Sequence, residues 1–255
     1  MEKWAGKVAV VTGASGICNL GICKELVRAG MIVCGFSRRV DQVEALRAEL
    51  TDASGQLNAV ECDLRSEQSV MYAYNWIINT YGGVDLLINN AGVLTKQLLL
   101  DSNNTKELSK IFETSLIGIC LCTKFALKSM TSRNVEGYVV NINSIFGHTL
   151  NVSVPGLKPL NGSFAVAKFG VFALSEYLKQ ELRYLNLNIK LSSISPGLTE
   201  TDFLAQPSEF SGNKIVEYMP KLKPKDVADA LMYIITRPKH LQIDDITIKP
   251  MGEFI

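Results

Sequence analysis

The residues of this chain best suited to chemistry lie in one stretch, Asn143-Ser144 followed by Phe164-Ala-Val-Ala-Lys168. Positions four apart on a helix share a face, so Phe164 and Lys168 point together toward whatever Ser144 faces. A serine hydroxyl and a lysine ammonium can hold and polarise a substrate oxygen. What the set lacks is an acid, because phenylalanine has no proton to pass. Ser144 can lend one hydrogen bond but cannot supply that acid. His148, four residues past Ser144, could donate.

A second constellation can hold a nucleotide. Thr12-Gly-Ala-Ser-Gly-Ile-Cys-Asn-Leu-Gly21 lies between the first strand and the first helix, where a dinucleotide pyrophosphate meets a helix N-terminus. Gly13, Ser15 and Ile17 fall in this turn. Ser37-Arg38-Arg39 follows the second strand. An acidic residue there would accept the ribose hydroxyls of NAD, whereas Arg38 and Arg39 suit the 2′-phosphate of NADP. The alternative is a pair of solvated arginines at a helix start.

The elements that must position these groups alternate regularly. Strands are expected at 7–12, 31–36, 56–62, 84–88, 137–142, 189–194 and 243–248. Helices fall between them: one ending at Gly30, then 40–50, 67–81, a long one at 108–130, 163–185 and 226–236. Lys7-Val-Ala-Val-Val-Thr12 is continuously apolar, as befits a strand buried on both faces. This alternation implies right-handed βαβ units. The expected fold is therefore α/β, one doubly wound Rossmann-type domain over 1–255, with a seven-stranded, mainly parallel sheet covered by helices on both faces.

Composition excludes several classes. The 255 residues carry a formal net charge of +1, so no strong field points to nucleic acid or an anionic membrane. No apolar run is long enough for a membrane span, and Met-Glu-Lys-Trp-Ala-Gly-Lys has no signal-peptide core. The six cysteines, Cys18, Cys23, Cys34, Cys62, Cys120 and Cys122, are scattered through apolar patterns. They suggest reduced thiols in a cytoplasmic protein and offer no metal-ligand spacing. Two long loops, 148–162 and 197–223, lie beyond the carboxyl ends of strands, where ligands bind in open sheets. Leu198, Phe203, Leu204, Phe210, Ile215, Tyr218 and Met219 make the second apolar enough for a lid over an apolar ligand, or for a subunit contact.

The pieces together resemble the short-chain dehydrogenase/reductase family. Asn89-Asn-Ala-Gly92 matches its Asn-Asn-Ala-Gly signature, and Ser144 with Lys168 matches two members of its catalytic tetrad. Ile142-Asn-Ser-Ile-Phe-Gly-His148, Ser195-Pro-Gly-Leu-Thr-Glu-Thr201 and Leu222-Lys-Pro-Lys-Asp-Val-Ala228 place the chain near the farnesol dehydrogenase-like branch. The resemblance implies NADP, held at Gly13, Ser15, Ile17, Arg38, Arg39, Asp63, Leu64, Asn90, Ala91, Gly92, Lys168, Pro196, Gly197 and Thr199. It also implies apolar alcohols or carbonyls as ligands, and a homo-oligomer, dimer or tetramer, packed through the 108–130 and 163–185 helices. Asp63 would cap the adenine amine, and Pro196, Gly197 and Thr199 would touch the nicotinamide amide.

The departures from the pattern are specific. The family's tetrad of asparagine, serine, tyrosine and lysine falls here on Ser115, Ser144, Phe164 and Lys168. Counted without gaps, the second and third glycines of the nucleotide turn become Ile17 and Asn19; a deletion and a compensating insertion would restore one glycine. A branched residue suits neither positive φ nor close phosphate approach. Two expectations follow. One is a pseudoenzyme, with hydride transfer lost or impaired, that binds an apolar ligand or partner. The other is a working NADP-dependent oxidoreductase with a rerouted proton donor.

Overall fold

The structure is a computed structural model that describes residues 2–94, 97–150, 162–200 and 219–253. Seven strands form its sheet: β1 (Val8–Thr12), β2 (Ile32–Ser37), β3 (Gln56–Glu61), β4 (Leu86–Asn89), β5 (Gly137–Ile142), β6 (Ile189–Pro196) and β7 (Asp245–Ile248). Their order is β3-β2-β1-β4-β5-β6-β7, and all six pairings are parallel. The sheet is thus wholly parallel rather than mainly so.

Alternate residues of each strand face opposite sides, and each side has its own core. Val11, Ile88, Val140 and Ile194 pack against α1 (Ile17–Arg28), α2 (Val40–Glu49) and α7 (Pro224–Ile235) through Ile22, Leu26, Val43 and Leu231. Val10, Leu87, Val139 and Leu191 pack against α3 (Glu67–Tyr81), α5 (Gly118–Ser132) and α6 (Gly162–Tyr184) through Tyr74, Ile77, Met130 and Leu178. Burying both faces is what makes the strands read as apolar runs.

The expected helix at 108–130 is corrected. It begins earlier, as α4 (Thr105–Phe112), passes through one π turn at Glu113–Ile117 and continues as α5. A π turn adds a residue without breaking the apolar spacing on either side, so periodicity does not reveal it. The helix lies so close to the loop after β3 that a Cβ on Gly118 would sit 2.9 Å from Leu64 Cβ.

At the amino ends of the strands Asp85 ties three segments together. Its carboxylate accepts from Val8 N at 3.0 Å and from Arg133 Nη1 at 3.1 Å, and Arg133 also donates to the carbonyls of Val84 and Ser129. Removing one partner of a buried pair strands the other. Asp85→Ala is therefore expected to cost about 2–4 kcal/mol, seen as a lower urea midpoint with the slope unchanged; an unmoved midpoint would show that the pair contributes nothing.

Candidate active site

The strand order reverses between β1 and β4, which opens a crevice at their carboxyl ends. Thr12 closes its floor: the hydroxyl accepts from Asn90 N at 3.0 Å and Ala91 N at 3.1 Å, and faces the Ile88 carbonyl at 3.4 Å. Gly13 follows with φ of +70°. A Cβ there would meet Ala91 Cα at 2.9 Å, so both geometry and space require glycine. The two family signatures, the glycine turn and Asn89-Asn-Ala-Gly92, thus touch each other.

Gly16 precedes α1 in extended conformation and makes no side-chain cap, which leaves the first amides of α1 for an anion. Ile17 opens the helix. Of the turn residues only Gly13 has positive φ, so Ile17 is not asked for the conformation a branched side chain resists. Asn19, at the third glycine position, is buried and donates to the Gly13 carbonyl, while its Oδ1 is buried without a partner among the described residues. The Asn19 amide thus braces the turn.

Around this turn the expected nucleotide residues gather. Arg39 and Arg38 are exposed, and Arg39 Nη2 reaches Ser15 Oγ at 3.5 Å. Asp63 is held by Arg65 through Nε and Nη2 at 3.0 and 2.6 Å; that hydrogen-bonded guanidinium keeps its carboxyl below the usual range. Leu64 is buried against Gly118.

The chemical end forms where β4, the π turn, β5 and α6 converge. Ser115 is fully buried inside the π turn, and its Oγ accepts from Val93 N at 3.2 Å. The helix distortion therefore exists with serine in place of asparagine. Gly92 faces both groups: a Cβ there would lie 3.8 Å from Ser115 Oγ and 3.9 Å from Phe164 Cε2. Ser144 is in extended conformation just past β5 and accepts from Phe146 N at 3.2 Å. Lys168 is 3% exposed. Its Nζ donates to the Ile142 carbonyl at 2.6 Å and stands 5.5 Å from the Phe164 ring centroid. Among the described residues no carboxylate pairs with it, and burial lowers its pKa to about 8.

Beyond β6, Pro196 ends the strand, Gly197 N donates to the Ile248 carbonyl, and Thr199 Oγ1 donates to the Gly197 carbonyl at 3.0 Å. Thr201 lies outside the described residues, as do 151–161 and 201–218 within the two expected functional loops.

Three features escaped the sequence. His148 Nε2 lies 2.8 Å from Ser195 Oγ, which in turn donates to Asp245 Oδ2 at 3.0 Å. Glu253 Oε1 accepts from Leu198 N at 2.8 Å, and its Oε2 is buried without a partner among the described residues; burial raises the pKa of this carboxyl. Both polar atoms of the Asn143 side chain are likewise buried and unpartnered among the described residues. Asp245 and Glu253 sit far along the chain from their partners, and no local spacing points to them.

The sheet order, the glycine turn at the switch point and the serine and lysine beyond β5 define a dinucleotide-fold oxidoreductase scaffold. The chain belongs to the short chain dehydrogenase family, whose profile matches residues 7–211. It is 38% identical over 254 residues to a protein named farnesol dehydrogenase from Aedes aegypti, covering 99% of each. It is 37% identical over 257 residues to dehydrogenase/reductase SDR family member 11 of Homo sapiens, covering 98% of this chain and 96% of that one. Among solved structures, an alcohol dehydrogenase from Thermococcus sibiricus complexed with 5-hydroxy-NADP superposes with a TM-score of 0.81 at 22% identity, covering 98% of both chains. A metagenomic short-chain oxidoreductase in complex with NADP gives 0.79 at 22% identity, covering 98% and 99%. At that identity the structures establish the fold.

The Lys168 shift has a consequence for stability. The unfolded lysine holds its proton up to about 10.5, whereas the folded one releases it near 8. Between those values the unfolded state binds more protons, so stability rises with pH across that window. Below it, burying the ammonium costs about 3 kcal/mol. Lys168→Met removes that cost and leaves the Ile142 carbonyl unpaired, worth about 1–2 kcal/mol. The variant is expected to be more stable than the parent at pH 7 and to lose that advantage by pH ~10.5. Urea unfolding at both values checks it; a parent more stable at both would refute the unpaired, buried ammonium.

Proposed function

We propose that this chain is a ligand-binding member of its family in which hydride transfer is lost or strongly impaired. The observation that carries this is the Phe164 ring beside Lys168, at 5.5 Å, in the position where the family carries its tyrosine acid. The neighbouring hydroxyls do not stand in for it. The Ser144 and Ser115 hydroxyls accept backbone amides and can each lend a hydrogen bond, but an aliphatic alcohol is a far weaker acid than a phenol, and His148 directs Nε2 to Ser195. A second reading, an active NADP-dependent oxidoreductase of apolar alcohols or carbonyls with a rerouted acid, is supported by relatives named as dehydrogenases, by the intact Arg38, Asn90 and Lys168, and by a Lys168 ammonium whose pKa of about 8 lies near neutrality.

The residues fit NADP. The amides at the start of α1 with Ser15 would take the pyrophosphate, Arg38 and Arg39 the 2′-phosphate, Asp63 and Leu64 the adenine, Asn90, Ala91 and Gly92 the nucleoside, and Lys168 the nicotinamide ribose. Pro196, Gly197 and Thr199 would flank the nicotinamide amide. When bound, NADPH supplies the hydride. Asn19 narrows the turn, which supports weak binding. The ligand class, an apolar alcohol or carbonyl, follows the farnesol dehydrogenase relative.

Two further parts of this proposal concern the protein's setting. An apolar groove of about 540 Å³ between α5 and α6, lined by Leu127, Leu174, Leu178, Leu182 and Leu185, supports a homodimer through these helices. Val166, Tyr177 and Tyr184 on α6 are exposed. No helix among the described residues is long and apolar enough to cross a membrane. The free cysteines Cys23, Cys34, Cys62 and Cys122, all buried, suit a cytoplasmic setting.

Purified protein is expected to bind NADPH in preference to NADH in a fluorescence titration, because the guanidiniums make charge-assisted contacts to the 2′-phosphate; equal affinities would make them surface charges only.

Steady-state NADPH oxidation with farnesal and a panel of apolar ketones is expected to show no turnover, against about ten per second for an ordinary enzyme. Phe164→Tyr alone is expected to remain silent, with activity returning only when Ile17→Gly, Asn19→Gly and Ser115→Asn are added. Turnover by the parent within about tenfold of that ordinary value would overturn the proposal. Robust turnover by Phe164→Tyr alone would confine the damage to the proton donor.

A further inference from the structure

The buried amine that hydride chemistry leaves idle has a use of its own. We propose that Lys168 captures apolar aldehydes in this crevice as a reversible imine, a step that deepens the ligand-binding reading above and rests on it. Imine formation needs a free amine, an apolar surrounding, an approach for the carbonyl carbon and a donor for the departing oxygen.

Each requirement is met by a named group. Among the described residues Lys168 Nζ has one hydrogen-bond partner, the Ile142 carbonyl at 2.6 Å, and no carboxylate paired with it. A carbonyl oxygen orients the amine and competes for no carbon. Phe164, one helical turn away with its ring 5.5 Å from Nζ, makes the neighbouring wall apolar. A phenol there would instead offer a hydroxyl, and as an anion it would hold the ammonium form. The side chains beside Lys168 on the buried face of α6, Ala165, Ala167 and Val171, are small or apolar. Gly92 carries no side chain beside Ser115 Oγ and the Phe164 ring, from which a Cβ there would lie 3.8 and 3.9 Å; the aldehyde carbon comes in along this bare backbone to a lysine that is 3% exposed. Ser144 and Ser115 each accept from a backbone amide, so each retains its own hydroxyl proton to donate. A pKa near 8 leaves about one Lys168 amine in ten neutral at pH 7, against about one in three thousand for an ordinary lysine.

The step balances without an oxidant or a reductant. The Nζ lone pair forms a bond to the carbonyl carbon, and the carbonyl π pair moves to oxygen, which takes a proton. The carbinolamine then loses that oxygen as water while nitrogen gives up its second proton, leaving C=N. The ligand class is an aldehyde with an apolar chain; a hindered ketone is slower at the same carbon.

The test uses the full chain, without nucleotide, at pH 7 with decanal and sodium cyanoborohydride, which reduces any imine to a stable secondary amine. Intact mass and peptide mapping then locate the adduct. Lys168 is expected to be labelled at least about tenfold faster than exposed lysines such as Lys124 and Lys239, given its larger neutral fraction. Lys168→Met should lose that fast phase. The mapping on the parent chain decides the matter even where the variant does not fold: labelling of Lys168 no faster than that of Lys124 and Lys239 overturns the proposal. That result would leave the impaired-transfer reading intact, because NADPH oxidation measures it separately; turnover with NADPH would sink that reading and, with it, the idle amine on which this proposal rests.

Discussion

The site depends on the hydroxyl of Thr12. It receives two backbone amides from the residues after β4, and so carries the contact between β1 and β4 past the end of their ladder, where the strand order reverses. The join brings Gly13 against Ala91 so closely that a side chain on Gly13 would displace the β4 turn. With the turn fixed, Asn90-Ala91-Gly92 lies along the crevice, and Gly92 delivers the crevice to Ser115 and Phe164. The nucleotide end and the chemical end are therefore one continuous surface rather than two motifs.

That continuity bears on the reading proposed above, in which the scaffold stays intact and hydride transfer is lost. The fold is held by apolar burial on both faces of the sheet, a property shared among dozens of side chains. Proton transfer is held by one oxygen atom. A phenyl in place of a phenol beside Gly92 removes that oxygen and keeps the ring that packs there. Ser115 shows the same separation: the π turn persists around a serine, so the backbone distortion does not need the asparagine amide.

The sheet and its helices were legible because a parallel sheet buried on both sides writes itself as apolar runs separated by amphipathic ones. The boundaries moved by one or two residues where a terminal residue outside the apolar run, such as Ser37 or Pro196, still completes a ladder. The π turn was not legible, because Ile111, Ile119 and Cys122 keep a buried face on either side of it. Of the candidate site, the residues within each strand-end motif were legible, since each motif is local. The pairing of His148 with Ser195 and Asp245 was not, and neither was Glu253 at Leu198. Both join residues about fifty positions apart, and only the order of β5, β6 and β7 brings them together.

Lys168 is where fold and site pull in opposite directions. A buried ammonium with one carbonyl as its partner among the described residues lowers stability, and in the family's arrangement the tyrosine hydroxyl beside it shares that environment. Here the hydroxyl is gone and the lysine is not. The aromatic face offers the cation a weak attraction at 5.5 Å, worth about 0.5–2 kcal/mol, which is less than the burial costs. The surrounding core, with Ala165, Ala167 and Val171 sealed beneath α6, holds the amine in place regardless. A buried amine kept unpaired by its neighbours is neither a good ion nor a good core residue. It is a nucleophile in waiting, and its reactivity follows from the same desolvation that makes it costly.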